Sequence, residues 1–220
     1  IMYDITKFVT AYSVDKEGIQ SLLPRNFHSL RGVIRVTVEV MQAVPWLNGS
    51  DCVRVELNTP VSNDDRRGWF NLVTWVNCYV TPSKDRDIPT NTVVKADMTT
   101  VKGEHGGSFS VWPEQGIVPF FNVTFDRTGD VGGCPYEEDN EGTFYYSVDG
   151  EDNVTCYFRP VETITEHQEK CDAYIMWQMT FKDGIPYKYS KVPDVCALEV
   201  KEILGAYIVQ FKRQMRDVEF

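Results

Sequence analysis

The sequence lacks several features that would assign it directly to a large class of proteins. None of its apolar runs approaches the roughly 20 residues needed to span a bilayer, so no membrane span is expected. It contains no C-x-x-C pair, and its three histidines are far apart, which argues against a metal site. It also lacks repeats, low-complexity tracts and linkers, so residues 1–220 are expected to form one domain.

Basic residues are also few. The 220 residues include 22 Lys and Arg but 32 Asp and Glu, which gives a formal net charge of −10. Binding to nucleic acid or to anionic membranes requires basic patches. The composition therefore argues against nucleic acid as a partner.

Three N-x-[ST] sequons, at Asn48, Asn122 and Asn153, are the first positive feature. One sequon would mean little, but three beside an even number of cysteines favour the secretory pathway. A start at Ile1 suits a processed mature chain. We therefore expect a secreted glycoprotein in which all three sequon asparagines are exposed and at least one, most safely Asn48, carries a sugar. Scattered thiols in a cytosolic protein are the alternative.

Six cysteines are present, and an extracellular chain rarely leaves an even set of thiols unpaired. We expect most of them to form disulfides, although six cysteines allow 15 connectivities. The two arms of one predicted hairpin carry Cys52 and Cys78, and pairing of each with loops elsewhere stays open. The complete set is Cys52, Cys78, Cys134, Cys156, Cys171 and Cys196.

Alternation of apolar and polar residues indicates mainly β-structure. Residues 33–44 alternate and predict a strand. In the run from Cys52, the side chains of Val53 and Val55 face one way and those of Arg54 and Glu56 the other, as in a half-buried strand. The polar segment 63–68 predicts a hairpin loop, and the aromatic run 69–80 predicts a central strand.

The remaining segments predict one short helix and further strands. Asp15 is a suitable N-cap for a helix over residues 15–23. Further strands are expected at 4–12, 92–101, 107–112, 117–125, 143–148, 153–159, 172–182 and 185–189. The acidic, glycine-containing stretch 126–142 predicts a loop. The C-terminal run fits either a helical stripe or a strand, and its β-rich residues 206–211 favour the strand.

Several of these segments resemble the acetoacetate decarboxylase superfamily. Residues 13–24, S-V-D-K-E-G-I-Q-S-L-L-P, resemble the family's acid-capped short helix with its Leu-Pro end. Thr59-Pro60-Val61-Ser62, followed by Gly68-Trp69-Phe70, resembles its Pro-Val strand end and aromatic strand. The resemblance implies a β-dominated α+β fold, with a closed or near-closed antiparallel barrel and a short N-terminal helix. It also implies a homo-oligomer.

The catalytic lysines of that family are missing from the matching segment. The family forms a Schiff base on the second lysine of a Tyr-Pro-Lys-Lys segment, and here Thr90 and Asn91 stand at the lysine positions. An amide cannot form an imine, so the resemblance implies a pseudoenzyme without this activity. A relocated nucleophile at Lys95 or Lys102 is the alternative, although a surface lysine explains either more simply.

Two other matches to the family concern charged groups. Its N-terminal arginine falls near Ile5, where Lys7 is the closest cation, and its acidic residue before Pro-Val is best matched by Glu56.

The aromatic residues favour a hydrophobic ligand. Core packing explains most of them, but a barrel without its lysines could hold an apolar molecule. We expect no required cofactor, and a bound carotenoid, retinoid, fatty acid or sterol. The candidate ligand-binding residues are Phe70, Trp75, Trp112, Phe121, Trp177, Met179 and Glu56. A Schiff-base enzyme and a partner-binding glycoprotein with a filled barrel remain the alternatives.

Overall fold

In the computed structural model of the chain, the described residues are 1–78, 93–112, 118–131, 141–149, 153–178 and 192–214. Within these ranges the secondary structure is mostly β-strand, with two short α-helices and a 3-10 helix at Pro45–Leu47. The strands are β1 Met2–Ser13, β2 His28–Ser29, β3 Val33–Val44, β4 Ser50–Asn63, β5 Arg66–Val76, β6 Val93–Lys95, β7 Asp97–Gly103, β8 Gly106–Trp112, β9 Phe121–Val131, β10 Gly142–Asp149, β11 Asn153–Pro160, β12 Glu169–Trp177 and β13 Glu202–Gln214. The helices are α1 Lys16–Gln20 and α2 Val192–Ala197.

The strands form one mixed sheet in the order β11-β10-β5-β4-β3-β1-β13-β12-β9-β8-β7, with β2 paired to β4 and β6 paired to β5. Most pairs are antiparallel, but β5 pairs in parallel with both β6 and β10. The expected closed antiparallel barrel is therefore wrong in two respects. Two neighbours are parallel, and the pairing among the described strands ends at β11 and β7 without closing. The alternation of apolar and polar residues predicts on which face of the sheet a side chain lies. It does not predict which strands pair or whether the sheet closes into a barrel.

The middle of the sheet is buried on both faces. Every residue of β4 from Cys52 to Val61 is buried, including its charged side chains. One face joins the main hydrophobic core through Val53, Val55 and Leu57. The opposite face carries Arg54 and other polar groups, and it lines a cavity. The predicted half-buried strand is thus a fully buried one.

Several local predictions are confirmed. The strand β3 has the predicted bounds, and the C-terminal run forms strand β13 rather than a helix. Asp15 caps α1, since its carboxylate accepts a hydrogen bond of 2.8 Å from the backbone N–H of Gly18. The prediction of a loop over residues 126–142 is partly wrong, because β9 continues through residues 126–131.

Where β10 joins β5, two glycines allow the backbones to approach closely. A Cβ atom added at Gly68 would lie 2.4 Å from the carbonyl oxygen of Gly142. The parallel pairing begins one residue further, at Thr143 opposite Trp69. A side chain at residue 68 would therefore push β10 away, and β10 carries one wall of the cavity.

No helix within the described ranges is long and apolar enough to cross a membrane.

Candidate functional site

The candidate site is a cavity of about 240 Å³ between the middle of the sheet and a cover. Its floor consists of side chains from β1, β3, β4 and β13. Its cover consists of β10, the end of β11 and the irregular segment 161–168 that leads to β12. The lining is mainly polar and charged.

Alternate residues of two adjacent strands supply the floor. On β3 they are Arg35, Thr37 and Glu39, and on β4 they are Arg54, Glu56 and Asn58. The register places Arg35 opposite Asn58, Thr37 opposite Glu56 and Glu39 opposite Arg54. The sequence signal for this floor is the presence of both positive and negative side chains at alternate positions of two strands that were predicted to be neighbours.

Glu39 lies at the centre of a buried ionic network. Its carboxylate accepts a 2.6 Å hydrogen bond from Arg54 and two, of 2.9 and 3.0 Å, from Arg213. Arg213 also donates from Nε and Nη2 to both oxygens of Glu162, at 2.9 and 2.7 Å. Arg213 therefore holds two carboxylates in bidentate geometry, one on rigid β3 and one on the cover segment.

The network shifts the pKa values of its acids. Burial by itself would raise the pKa of Glu39, but the charges of Arg213 and Arg54 outweigh it and hold that pKa well below its ordinary value. Burial also opposes ionisation of Glu162, and its bond to Arg213 still lowers its pKa. Both acids are therefore ionised at neutral pH.

Glu56 occupies a second polar centre beside this network. Tyr145 donates from its hydroxyl to both carboxylate oxygens of Glu56, at 2.9 and 3.1 Å, and Asn58 Nδ2 lies 3.3 Å from Oε2. Asn71 Nδ2 in turn donates to Asn58 Oδ1 at 2.8 Å. Burial, followed by the charge of Glu56, raises the pKa of Tyr145, so the phenol stays a hydrogen-bond donor.

The lining taken as a whole carries a net positive charge. Five cationic residues line the cavity against three acidic ones, which leaves an excess of two positive charges among the described lining residues. The cations are Lys7, Arg35, Arg54, Arg159 and Arg213. Arg35 lies 5.1 Å above the ring of Trp69, which fixes the plane of its guanidinium.

Thr37 adds an unusual polar group to the floor. The residue is only 7% exposed, and its hydroxyl has no hydrogen-bond partner among the described residues. A buried hydroxyl without a partner costs free energy, so such groups point to a missing water or ligand.

Most of the aromatic residues predicted to bind a ligand belong to the hydrophobic core instead. The rings of Trp75, Phe121 and Trp177 pack against one another with centroids 4.7–6.2 Å apart. Phe70 packs on Phe27 at 4.9 Å. None of these four aromatic residues lines the polar cavity, and among the described members of the predicted set only Glu56 lines it.

The other two predicted ligand residues are Trp112 and Met179. The indole N–H of Trp112 donates to Thr99 at 3.0 Å on the exposed side of β7 and β8. Met179 lies outside the described residues.

The lysines that bear on Schiff-base chemistry are dispersed. The positions Thr90 and Asn91 lie outside the described residues, and so does the side chain of Lys95. Lys102 donates to Thr6 at 3.2 Å and does not line the cavity. Lys7, the cation closest to the position near Ile5 that matches the family's N-terminal arginine, does line it.

The three sequons differ in accessibility. Asn48 is exposed in a left-handed turn at the end of the 3-10 helix, as predicted. Asn122 is half-buried, and its amide nitrogen donates to Ser110 at 2.7 Å and to Ser108 and Phe109 at 3.2 Å. The predicted exposure of Asn122 is therefore wrong. Asn153 begins β11, and its side chain is outside the described set.

This difference predicts selective glycosylation. After expression through a secretory pathway, Asn48→Gln should lower the total glycan mass by one glycan. Asn122→Gln should leave the total glycan mass unchanged. The reason is that a sugar on Asn122 would break its bonds across β8. Intact-mass spectrometry before and after glycosidase treatment tests this, and a glycan at Asn122 contradicts it.

One disulfide is present in the described part of the chain. Cys52 and Cys78 are bonded to each other across the base of the β4–β5 hairpin, rather than to loops elsewhere. Cys156 and Cys171 carry free thiols, so the expected pairing of most cysteines does not hold among the described residues. Burial raises the pKa of Cys171 to about 11, and burial raises that of Cys196 too. Cys134 lies outside the described ranges.

No group of three or more His, Cys, Asp or Glu side chains is arranged to hold a metal ion within the described ranges.

Comparison with known proteins places the fold. The chain matches no protein-family model and no curated protein. It is similar to the structure of the enduracididine biosynthesis enzyme MppR complexed with pyruvate, at 11% identity and a TM-score of 0.71, covering 96% of this chain and 86% of MppR.

Two further structures are similar. The acetoacetate decarboxylase of Legionella pneumophila matches at 13% identity and a TM-score of 0.69, covering 95% of this chain and 82% of the other. An acetoacetate decarboxylase-like enzyme from Sphingomonas wittichii matches at 13% identity and a TM-score of 0.63, covering 96% and 89%. The resemblance seen in the sequence is thus confirmed at the level of architecture, and the chain has the acetoacetate decarboxylase-like fold.

Proposed function

We propose that this protein binds a small organic anion, of the carboxylate class, in the polar cavity, without forming a covalent bond to it. The observation that carries the proposal is the excess of two positive charges among the lining residues. A lining with a net positive charge attracts anions electrostatically, so it favours an anionic ligand in the cavity. The hydroxyl of Thr37 offers an additional hydrogen bond on the same floor.

The volume of the cavity supports a small ligand. Pockets for drug-sized molecules measure roughly 300–1,000 Å³, and this cavity measures about 240 Å³. A carotenoid or sterol requires a larger and mainly apolar space. The predicted hydrophobic ligand therefore finds less support than a polar one.

A structural neighbour offers a chemical precedent. MppR was solved complexed with pyruvate, which is a small carboxylate carrying a carbonyl group. The same class of ligand fits the charge and size of this cavity. The precedent concerns MppR, and for this chain it only guides the choice of probes.

Isothermal titration calorimetry with pyruvate and succinate tests the proposal. We expect saturable binding of at least one of them, and about tenfold weaker binding by Arg35→Met, which removes a lining cation. Arg25→Met is the matched control, because Arg25 is exposed and away from the cavity. Equal binding by both variants, or binding of retinol or palmitate but of neither pyruvate nor succinate, would contradict it.

Borohydride reduction in the presence of pyruvate separates binding from Schiff-base catalysis. We propose a non-catalytic protein, since Thr90 and Asn91 replace the lysines of the family motif. No adduct is expected. An adduct on Lys7, Lys95 or Lys102 would restore the enzyme alternative.

Three wider features are proposals on the sequence alone. The protein is secreted, it carries a glycan on Asn48, and it forms a homo-oligomer. The three sequons support the first two features, and the family resemblance supports the third.

A further inference from the structure

The cover segment places a carboxylate of the chain itself against the strongest anion-binding group of the cavity. Glu162 accepts from Nε and Nη2 of Arg213 at 2.9 and 2.7 Å, which is the side-on fork that free carboxylates take on arginine. A small carboxylate entering the cavity would meet this fork already filled.

The two carboxylates on Arg213 are held very differently. Glu39 is on buried β3, is 4% exposed, and is also bonded to Arg54. Glu162 is 32% exposed and comes from an irregular segment. Glu162 can therefore leave for solvent at much smaller cost than Glu39, whose departure would disrupt the sheet floor.

Electrostatics also favour exchange at Glu162. The charge of Glu39 acts against the ionised form of Glu162, although the bond to Arg213 prevails and its pKa remains lowered. The segment has a separate apolar attachment, because Ile164 packs on a second hydrophobic cluster beside the disulfide. The buried members of this second hydrophobic cluster are Tyr3, Ile5, Val9, Met41, Val44, Cys52, Val76, Tyr207, Val209 and Phe211. Release of Glu162 would thus free one side chain without detaching the whole segment.

We infer that Arg213 is the anchor for the ligand carboxylate and that Glu162 occupies this anchor until a ligand displaces it. The inference rests on the proposed function, and it makes Glu162 a built-in competitor that sets affinity and selects ligands able to supply a planar carboxylate. No bond forms or breaks covalently, and one carboxylate replaces another on the same guanidinium.

The first test compares Glu162→Gln with the matched variant Glu166→Gln. Glu166 lies on the same segment, is exposed, and accepts only a local bond from the backbone of Thr165 among the described contacts. Glu162→Gln should bind pyruvate about tenfold more tightly than wild type, because the competing state is weakened. Glu166→Gln should bind as wild type does. Neither wild type nor either variant should bind acetamide, which lacks the negative charge of a carboxylate.

The outcomes separate the two proposals. If wild type binds pyruvate and Glu162→Gln binds it equally or more weakly, Glu162 merely holds the cover, and the exchange is refuted. If neither wild type nor Glu162→Gln binds any carboxylate, the proposed function itself fails. Thermal unfolding of each variant confirms that the comparison concerns folded protein.

A second test uses the wild-type chain alone and does not depend on any variant. Hydrogen exchange of backbone amides 161–163 should become faster when pyruvate is added, because the displaced Glu162 no longer holds this part of the segment to Arg213. A ligand that only fills the cavity would slow exchange there, and slower or unchanged exchange at saturating pyruvate overturns the inference.

Discussion

Replacing Glu39 with glutamine is expected to lower the free energy of unfolding by about 3–5 kcal/mol. The substitution keeps the shape of the side chain but removes the negative charge between Arg54 and Arg213, which are both buried. A buried cation that loses its partner retains its full desolvation cost. Urea denaturation at pH 7 measures the change, with Glu166→Gln as the exposed control expected to stay within about 0.5 kcal/mol.

The same network should make the free energy of unfolding decrease as the pH is lowered. The pKa of Glu39 is lower in the folded state than its ordinary value of 4.5, so its contribution is complete above about pH 4.5. That contribution is lost as the pH falls through the folded pKa. Wild type should therefore lose stability in acid more steeply than Glu39→Gln. A loss below 1 kcal/mol at pH 7, or equal acid sensitivity of the two proteins, would contradict the role given to Glu39.

Replacing Trp75 with alanine should also destabilise the fold strongly, by about 3–5 kcal/mol. Trp75 is fully buried and contacts Phe120, Phe121 and Trp177, so alanine leaves a large void in the core. Trp112→Ala is the matched control, because Trp112 is only half-buried near the sheet edge, and a loss of about 1 kcal/mol or less is expected.

Calorimetry of ligand binding distinguishes the structural role of Trp75 from the predicted ligand contact. At a temperature where Trp75→Ala is still folded, its affinity for pyruvate should equal that of wild type. A small loss of stability together with a large loss of affinity for an apolar ligand would instead show that Trp75 lines a binding cavity.

Local sequence patterns predicted much of the β-structure because a strand buried on one face alternates with period two. The bounds of β3 and the opposite faces of Val55 and Glu56 followed from this alternation alone. It could not show what Glu56 faces, because a polar side chain directed at solvent and one directed at a closed cavity give the same pattern. The aromatic run from Trp69 likewise cannot separate a packed core from a ligand wall.

The parts of the site that the sequence did not predict come from segments that are far apart along the chain. Glu39 and Arg213 are separated by 174 residues in the sequence, yet they share two hydrogen bonds. Their contact depends on β1 pairing with both β3 and β13, and no local propensity encodes that pairing. Glu162 belongs to an irregular segment with no periodic pattern, so its role was not predictable from residues nearby.

The pairing of the first strand with the last also constrains when the site can form. Met2 lies opposite Gln214, so the central strand β1 gains one of its two neighbours only after synthesis has reached residue 214. Until then, Glu39 and Arg54 are without Arg213, and the second hydrophobic cluster lacks Tyr207, Val209 and Phe211. Closure of so long a loop is slow and entropically costly. During translation the ribosome-bound chain would therefore expose the open edge of β1, and an unpaired strand edge of this kind is prone to aggregation.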